Sequence, residues 1–157
     1  MDINAADLEY FLELSVVLTG FSKFHLRGTG LAELYFETIQ SVIGGDLFAE
    51  LLTTFQKLEV EKKASNDEAI AQILASEKFG PIARNIIKVW YMATWYTLPQ
   101  SWRDVYGTKE KDGTFIISPH AYPEGLLWTA IGVNPPGAKG QGYGTWSEPP
   151  LVSLTKS

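Results

Sequence analysis

Two prolines bracket the most apolar stretch of this chain and dictate what can lie between them. Pro81 and Pro99 enclose I-A-R-N-I-I-K-V-W-Y-M-A-T-W-Y-T-L, which is apolar on nearly every side of a helical projection except at Arg84, Asn85 and Lys88. Proline suits a first helical turn, where its missing N–H is not needed. A second proline blocks continuation, because it lacks a donor and clashes with the turn before it. The segment therefore reads as one helix from Pro81 to the residues just before Pro99. A helix that is hydrophobic all round has to be covered all round. That makes it either the centre of the fold or a helix covered by something else, and its Trp95/Tyr96 end a candidate to reach an interface.

The preceding residues supply what packs around it. Asn4 or Asp2 caps a first helix with Leu8, Phe11, Leu12, Val16 and Leu18 on an apolar stripe, and Gly20 ends it. The link F-S-K-F-H-L-R-G-T-G (residues 21–30) reads as a turn-rich connection. Thr29 then caps a second helix that turns Leu31, Leu34, Tyr35, Ile39, Val42 and Ile43 inward and stops at Gly44-Gly45. A third helix covers about residues 46–62 and buries Leu47, Leu51, Leu52, Phe55 and Leu58. Ser65 and Glu68 stand at the spacing of a capping box, with Ile70, Ile73 and Leu74 giving the short helix behind it a face. The expected fold is mainly α: a single-domain bundle of about five helices over residues 1–98, followed by a long irregular segment over residues 99–157.

At 157 residues the chain fits one domain, and such a domain buries roughly 70% of its unfolded surface. Its formal net charge of −5 argues against a nucleic-acid partner, which calls for a basic face. The charge is uneven, with thirteen acids and six bases in residues 1–80 but five and seven in residues 81–157. The acidic half reads as solvated helix surface and the nearly neutral half as the contact face. The chain has no cysteine, which excludes disulfides, thiolate nucleophiles and iron–sulfur ligation by cysteine. No apolar run approaches the roughly 18–20 residues that span a bilayer.

The pattern changes after Pro99. Residues 114–118 (T-F-I-I-S) form a short β-like run behind the turn Lys111-Asp112-Gly113. Residues 122–132 fit either one helical turn or a strand. From 118 to 150, six prolines and six glycines are interleaved with Tyr122, Trp128, Tyr143 and Trp146. Disordered tails are poor in aromatics, since a chain that buries nothing cannot offset its ordering entropy. A segment rich in both breakers and aromatics is an irregular one fixed by packing, on its own domain or on a partner. Pro135-Pro136-Gly137 sets an extended, turning path, and Gly140, Gly142 and Gly144 allow close backbone approach.

Catalytic patterns are absent. His25 and His120 are isolated, and neither a nucleophile elbow, a zinc-protease motif nor a Walker loop occurs. The run G-A-K-G-Q-G-Y-G lacks the preceding strand and following helix that a phosphate loop needs. Glu9/Glu13 and Glu33/Glu37 are acid pairs on solvated helix faces. No catalytic, cofactor or metal residue is assigned. A different reading is a small ligand-binding domain or enzyme, with a pocket between the aromatic helix and the tail lined by Trp90, Trp95, Trp102 and His120.

The segment A-Y-P-E-G-L-L-W-T-A-I-G-V-N-P-P-G-A-K-G-Q-G-Y-G-T-W-S-E-P-P (residues 121–150) closely resembles the C-terminal signature of the small subunits of bacterial membrane-bound, flavin-dependent sugar and polyol dehydrogenases. These form the D-sorbitol dehydrogenase small-subunit family, related to the gamma subunits of glucose and fructose dehydrogenases. F-L-E-L-S-V-V-L-T-G-F (residues 11–21) and I-I-K-V-W-Y (residues 86–91) extend the likeness along the chain. The resemblance implies an accessory subunit rather than a catalyst. FAD and the catalytic histidine would belong to a large subunit of the glucose–methanol–choline type, with electrons passing on to a cytochrome c subunit. The small subunit would bind the large one and assist its maturation and export. Two features depart from the family. The N-terminus M-D-I-N-A-A-D-L-E-Y shows no export signal, so the expectation is periplasmic if a signal has been removed and cytoplasmic otherwise. Some members carry a bridging cysteine near the position of Gly132, so association here is expected to be non-covalent. Trp95, Tyr122, Trp128, Tyr143 and Trp146 are the expected partner-binding aromatics, with Pro135, Pro136 and Gly137 setting the path between them.

Overall fold

The chain is described by a computed structural model covering residues 4–60 and 65–132. Capping chemistry sets most helix boundaries. Helix α1 (Ala5–Thr19) starts where the Asn4 side chain accepts the Ala6 N–H at 2.7 Å and ends at Gly20, whose φ of 82° suits a residue without a Cβ. Helix α2 (Lys23–Gly28) occupies the link expected to be only a turn. Ser22 caps it by accepting the His25 N–H at 3.0 Å, and Leu26 is fully buried beneath it. Thr29, expected to start the next helix, closes this one instead. Its hydroxyl donates to the Leu26 carbonyl (2.7 Å) and accepts the Leu31 N–H (3.1 Å). Helix α3 (Ala32–Ile43) thus begins at Leu31 without a side-chain cap. Only Gly44, at φ 95°, separates it from α4 (Gly45–Val60). The Ser65/Glu68 capping box forms at the head of α5 (Asn66–Ala75), each side chain accepting the other residue's N–H.

Helix α6 (Gly80–Met92) starts with Pro81 in its first turn, as the sequence requires, but stops well short of Leu98. Ala93 takes the left-handed conformation at φ 52°, a geometry that costs an L-residue about 1–2 kcal/mol. The chain then forms β1 (Thr94–Trp95), antiparallel to β2 (Phe115–Ile116), with Thr94 opposite Ile116 and Trp95 opposite Phe115. One carboxylate accounts for the early stop. Asp112 accepts the Trp95 indole N–H at 2.8 Å and the Leu98 backbone N–H at 3.1 Å to each oxygen. The Ala93 carbonyl accepts the Ile117 N–H at 2.8 Å. Backbone groups that a longer helix would have paired find partners among residues 112–117 instead. Pro99 caps the next helix, α7 (Gln100–Tyr106). The short β-like run of the sequence is present as β2. A 3₁₀ turn (Tyr122–Glu124) followed by α8 (Leu126–Ile131) settles the helix-or-strand ambiguity of residues 122–132 in favour of helix. The described residues thus hold eight α-helices where about five were expected. The three extra ones, α2, α7 and α8, have six or seven residues each, too few to show a helical period.

Helix α6 packs against α1, α3, α5, α8 and β1, so it is the central element. Trp90 is the hub of its buried face. Phe11 stacks on the indole at 6.2 Å between centroids, and Tyr35 meets it edge-on at 4.9 Å. Phe36 and Phe48 close the cluster around Phe11, both at 5.7 Å from its ring. The indole N–H donates to the Ser15 hydroxyl at 2.9 Å, which removes the cost of burying it. Inside the helix the buried Asn85 donates its amide N–H to the Tyr96 carbonyl at 2.7 Å, and Arg84 and Lys88 are exposed. One hydrophobic cluster runs from Phe11 to Leu126, so Trp102, Ala121 and Leu126 join the same core as the helices before Pro99. Among the described residues, no helix is long and apolar enough to cross a membrane.

Replacing Asp112 by Ala strands the Trp95 indole and the Leu98 amide at once. The expected loss of stability is about 1–3 kcal/mol, read as a lower midpoint in thermal or urea denaturation followed by circular dichroism. An unchanged midpoint would contradict the role assigned to this carboxylate.

Candidate partner-binding surface

The start of the tail is fixed by a close approach of two backbones. A Cβ on Gly125 would lie 2.4 Å from the Tyr91 carbonyl oxygen of α6 and 3.3 Å from that of Tyr122. Only glycine allows the chain to pass here, so G in the Y-P-E-G-L-L-W run is a packing requirement. Ala121 and Leu126 flank the contact as fully buried side chains. With its two ends anchored in this way, the turn turns Tyr122 and Trp128 toward each other. Their rings meet edge-to-face at 5.6 Å, and the Trp128 indole donates to the Tyr122 carbonyl at 3.1 Å. Both remain half-buried.

A separate row of aromatics starts at Tyr91. Tyr91, whose carbonyl receives Gly125, donates its hydroxyl to the Thr19 carbonyl at 3.0 Å, and burial pushes its phenol above the usual range. Its ring meets Phe21 at 5.9 Å, and Phe21 meets the His25 imidazole at 4.9 Å. His25 lies on α2, whose Phe24 is 88% exposed. Lys23 and Arg27 on the same helix both pair with Glu9 of α1, and Lys23 also stands 3.6 Å from Glu13. The Lys23 hydrogen bond, aided by the charge of Arg27, holds the Glu9 carboxyl below the usual carboxylate range against the opposing effect of desolvation.

The residues expected to meet a partner fall into three groups. Tyr122 and Trp128 are brought together. Trp95 is enclosed by the protein itself, with no exposed ring surface and its indole committed to Asp112, so it is a core residue rather than an accessible anchor. Pro135, Pro136, Gly137, Tyr143 and Trp146 lie outside the described residues. Phe21, Phe24 and Tyr91 were not singled out from the sequence. Phe24 could have been found from S-K-F-H-L-R: once Ser22 caps a short helix and Leu26 points inward, Phe24 must point outward.

Of the residues suggested for a ligand pocket, three are buried and one is exposed. Trp90, Trp95 and Trp102 are buried with each indole N–H bonded within the chain, to Ser15, Asp112 and the Lys78 carbonyl, while His120 is exposed. A cleft of about 530 Å³ lies elsewhere, between the α3–α4 junction and α7, where Asp46, Glu50, Lys78, Tyr106 and Lys109 face it. Lys78 there is already engaged by Glu50 at 2.8 Å. The Tyr35 hydroxyl is buried without a hydrogen-bond partner among the described residues, and burial, with a contribution from Glu124, raises its pKa strongly. Among the described residues no three His, Asp or Glu side chains are grouped closely enough to hold a metal ion. No protein-family model matches this chain, and no curated protein or solved structure matches it either.

Gly125→Ala should push the tail turn off α6. The expected cost is about 1–3 kcal/mol, together with a red shift and quenching change in tryptophan fluorescence as Trp128 becomes more exposed. A variant with wild-type stability and spectrum would show that the turn is not held by this contact.

Proposed function

We propose that this chain is a non-catalytic accessory subunit that binds and stabilises an FAD-dependent large subunit of the glucose–methanol–choline type, which oxidises a sugar, a polyol or another alcohol. The observation that carries this reading is the aromatic signature of residues 121–150 and its resemblance to the small subunits of such complexes. The half-buried Tyr122/Trp128 pair is compatible with it. Two large aromatics at the start of the signature are half-buried, on a turn held against α6 at Gly125. Tyr and Trp suit such a contact because each buries a large area with few torsions to freeze, and each keeps a polar tip for hydrogen bonding. Because the chain has no cysteine, the complex is held by burial and hydrogen bonds alone. FAD and the reacting groups belong to the partner, as does any onward transfer of electrons to a cytochrome c subunit. The accessory role consists of covering apolar surface of the large subunit and so stabilising its FAD-loaded form.

Co-expression with an FAD-dependent large subunit of the glucose–methanol–choline type tests the proposal. The flavoprotein should be more soluble and more fully FAD-loaded in its company, and the two should copurify. Trp128→Ala should weaken the complex by about 2 kcal/mol while the free chain keeps its thermal transition. A flavoprotein equally soluble, equally loaded and equally active without this chain would refute the accessory role.

A further inference from the structure

We infer that the Tyr35 hydroxyl and the Glu124 carboxylate form a latch between the core and the tail turn, with Glu124 accepting from Tyr35 when the turn closes. The hydroxyl is the feature that needs a reason. Tyr35 is fully buried on α3, and its ring meets Trp90 edge-on at 4.9 Å. A phenylalanine would make that ring contact without enclosing a polar atom. The hydroxyl, however, is buried and has no hydrogen-bond partner among the described residues. Enclosing such a group unpaired costs stability, so a hydroxyl kept there points to an acceptor that reaches it in another state of the protein.

Place and charge together identify the acceptor. Glu124 ends the 3₁₀ turn Tyr122–Glu124, directly before Gly125, whose backbone closes against the Tyr91 carbonyl. Tyr91 follows Trp90, the residue on which Tyr35 packs, so neighbouring positions of α6 hold both partners. Burial is the main cause that raises the Tyr35 phenol, and the charge of Glu124 adds to it. Glu124 is half-buried on a long, flexible side chain. Its carboxylate can therefore swing while the buried Ala121 and Leu126 keep the turn anchored. A phenol that donates to a carboxylate makes one of the stronger hydrogen bonds. Closing it fastens the turn to α3 as well as to α6, and so fixes the position of the Tyr122/Trp128 pair.

Tyr35→Phe, Glu124→Ala and the double variant test the latch in the free chain, through thermal midpoints and amide exchange at residues 121–126. Each single change should lower the midpoint by about 2–4 °C and speed exchange in the turn. The double variant should fall no further than either single one, because both remove the same bond. Glu124→Gln, which keeps an acceptor, should recover part of the loss. A Tyr35→Phe chain that melts at or above the wild-type temperature would overturn the latch, since removing an unpaired hydroxyl only relieves its burial. Shifts that add in the double variant would overturn it as well. No flavoprotein enters these measurements, so their outcome is separate from that of the accessory-subunit reading.

Discussion

An indole buried in a protein core needs an acceptor for its N–H, and much of this structure depends on how that need is met at Trp90. Ser15 provides the acceptor from a helix 75 positions earlier in the chain. The bond joins the first helix to the central one at a defined register. Around that fixed point, Phe11 and Tyr35 occupy the two geometries that aromatic rings prefer, one stacked and one edge-on. The rest of the packing follows from it. Once α1 and α6 are in register, the Thr19 carbonyl at the end of α1 is in place to accept the Tyr91 hydroxyl. The Tyr91 carbonyl is in turn the group against which Gly125 closes. A line of contacts thus links the centre of the core to the first turn of the tail.

A second polar group, the Asp112 carboxylate, decides how the central helix ends. It gathers the Trp95 indole and the Leu98 amide on one side chain, and the short β1–β2 ladder forms beside it. The left-handed Ala93 is the strained hinge of that arrangement. Its cost is offset by the Trp95 and Leu98 N–H groups that Asp112 accepts and by the full burial of Trp95. The same event turns an aromatic that would have lain on an exposed helical end into a core residue.

Local chemistry was legible in the sequence, and long-range chemistry was not. Asn4, Gly20, Gly44, Pro81 and the Ser65/Glu68 pair each set a boundary through groups within four residues, and each acts as its residue type suggests. The end of α6 escaped prediction because it depends on Asp112, 17 positions away from Trp95. Thr29 misled because a hydroxyl that closes one helix stands where a cap for the next would stand. Burial was read correctly where one apolar stripe is clear, as at Tyr35 and Ile39. It was missed at Leu14, Phe36 and Phe48, where neighbouring helices cover a second side. For the candidate surface, Tyr122 and Trp128 were visible as aromatics among breakers. Phe24 was hidden in a segment whose Ser, Gly and Thr residues resemble a loop.

The proposed function places the partner contact at the tail turn, where Gly125 closes on α6 and Tyr122 meets Trp128. Hydrogen–deuterium exchange on the chain alone and in the presence of the FAD-loaded flavoprotein measures that directly. The account predicts slower amide exchange in residues 121–132 when the flavoprotein is present. Identical exchange in these residues with and without the flavoprotein would contradict it.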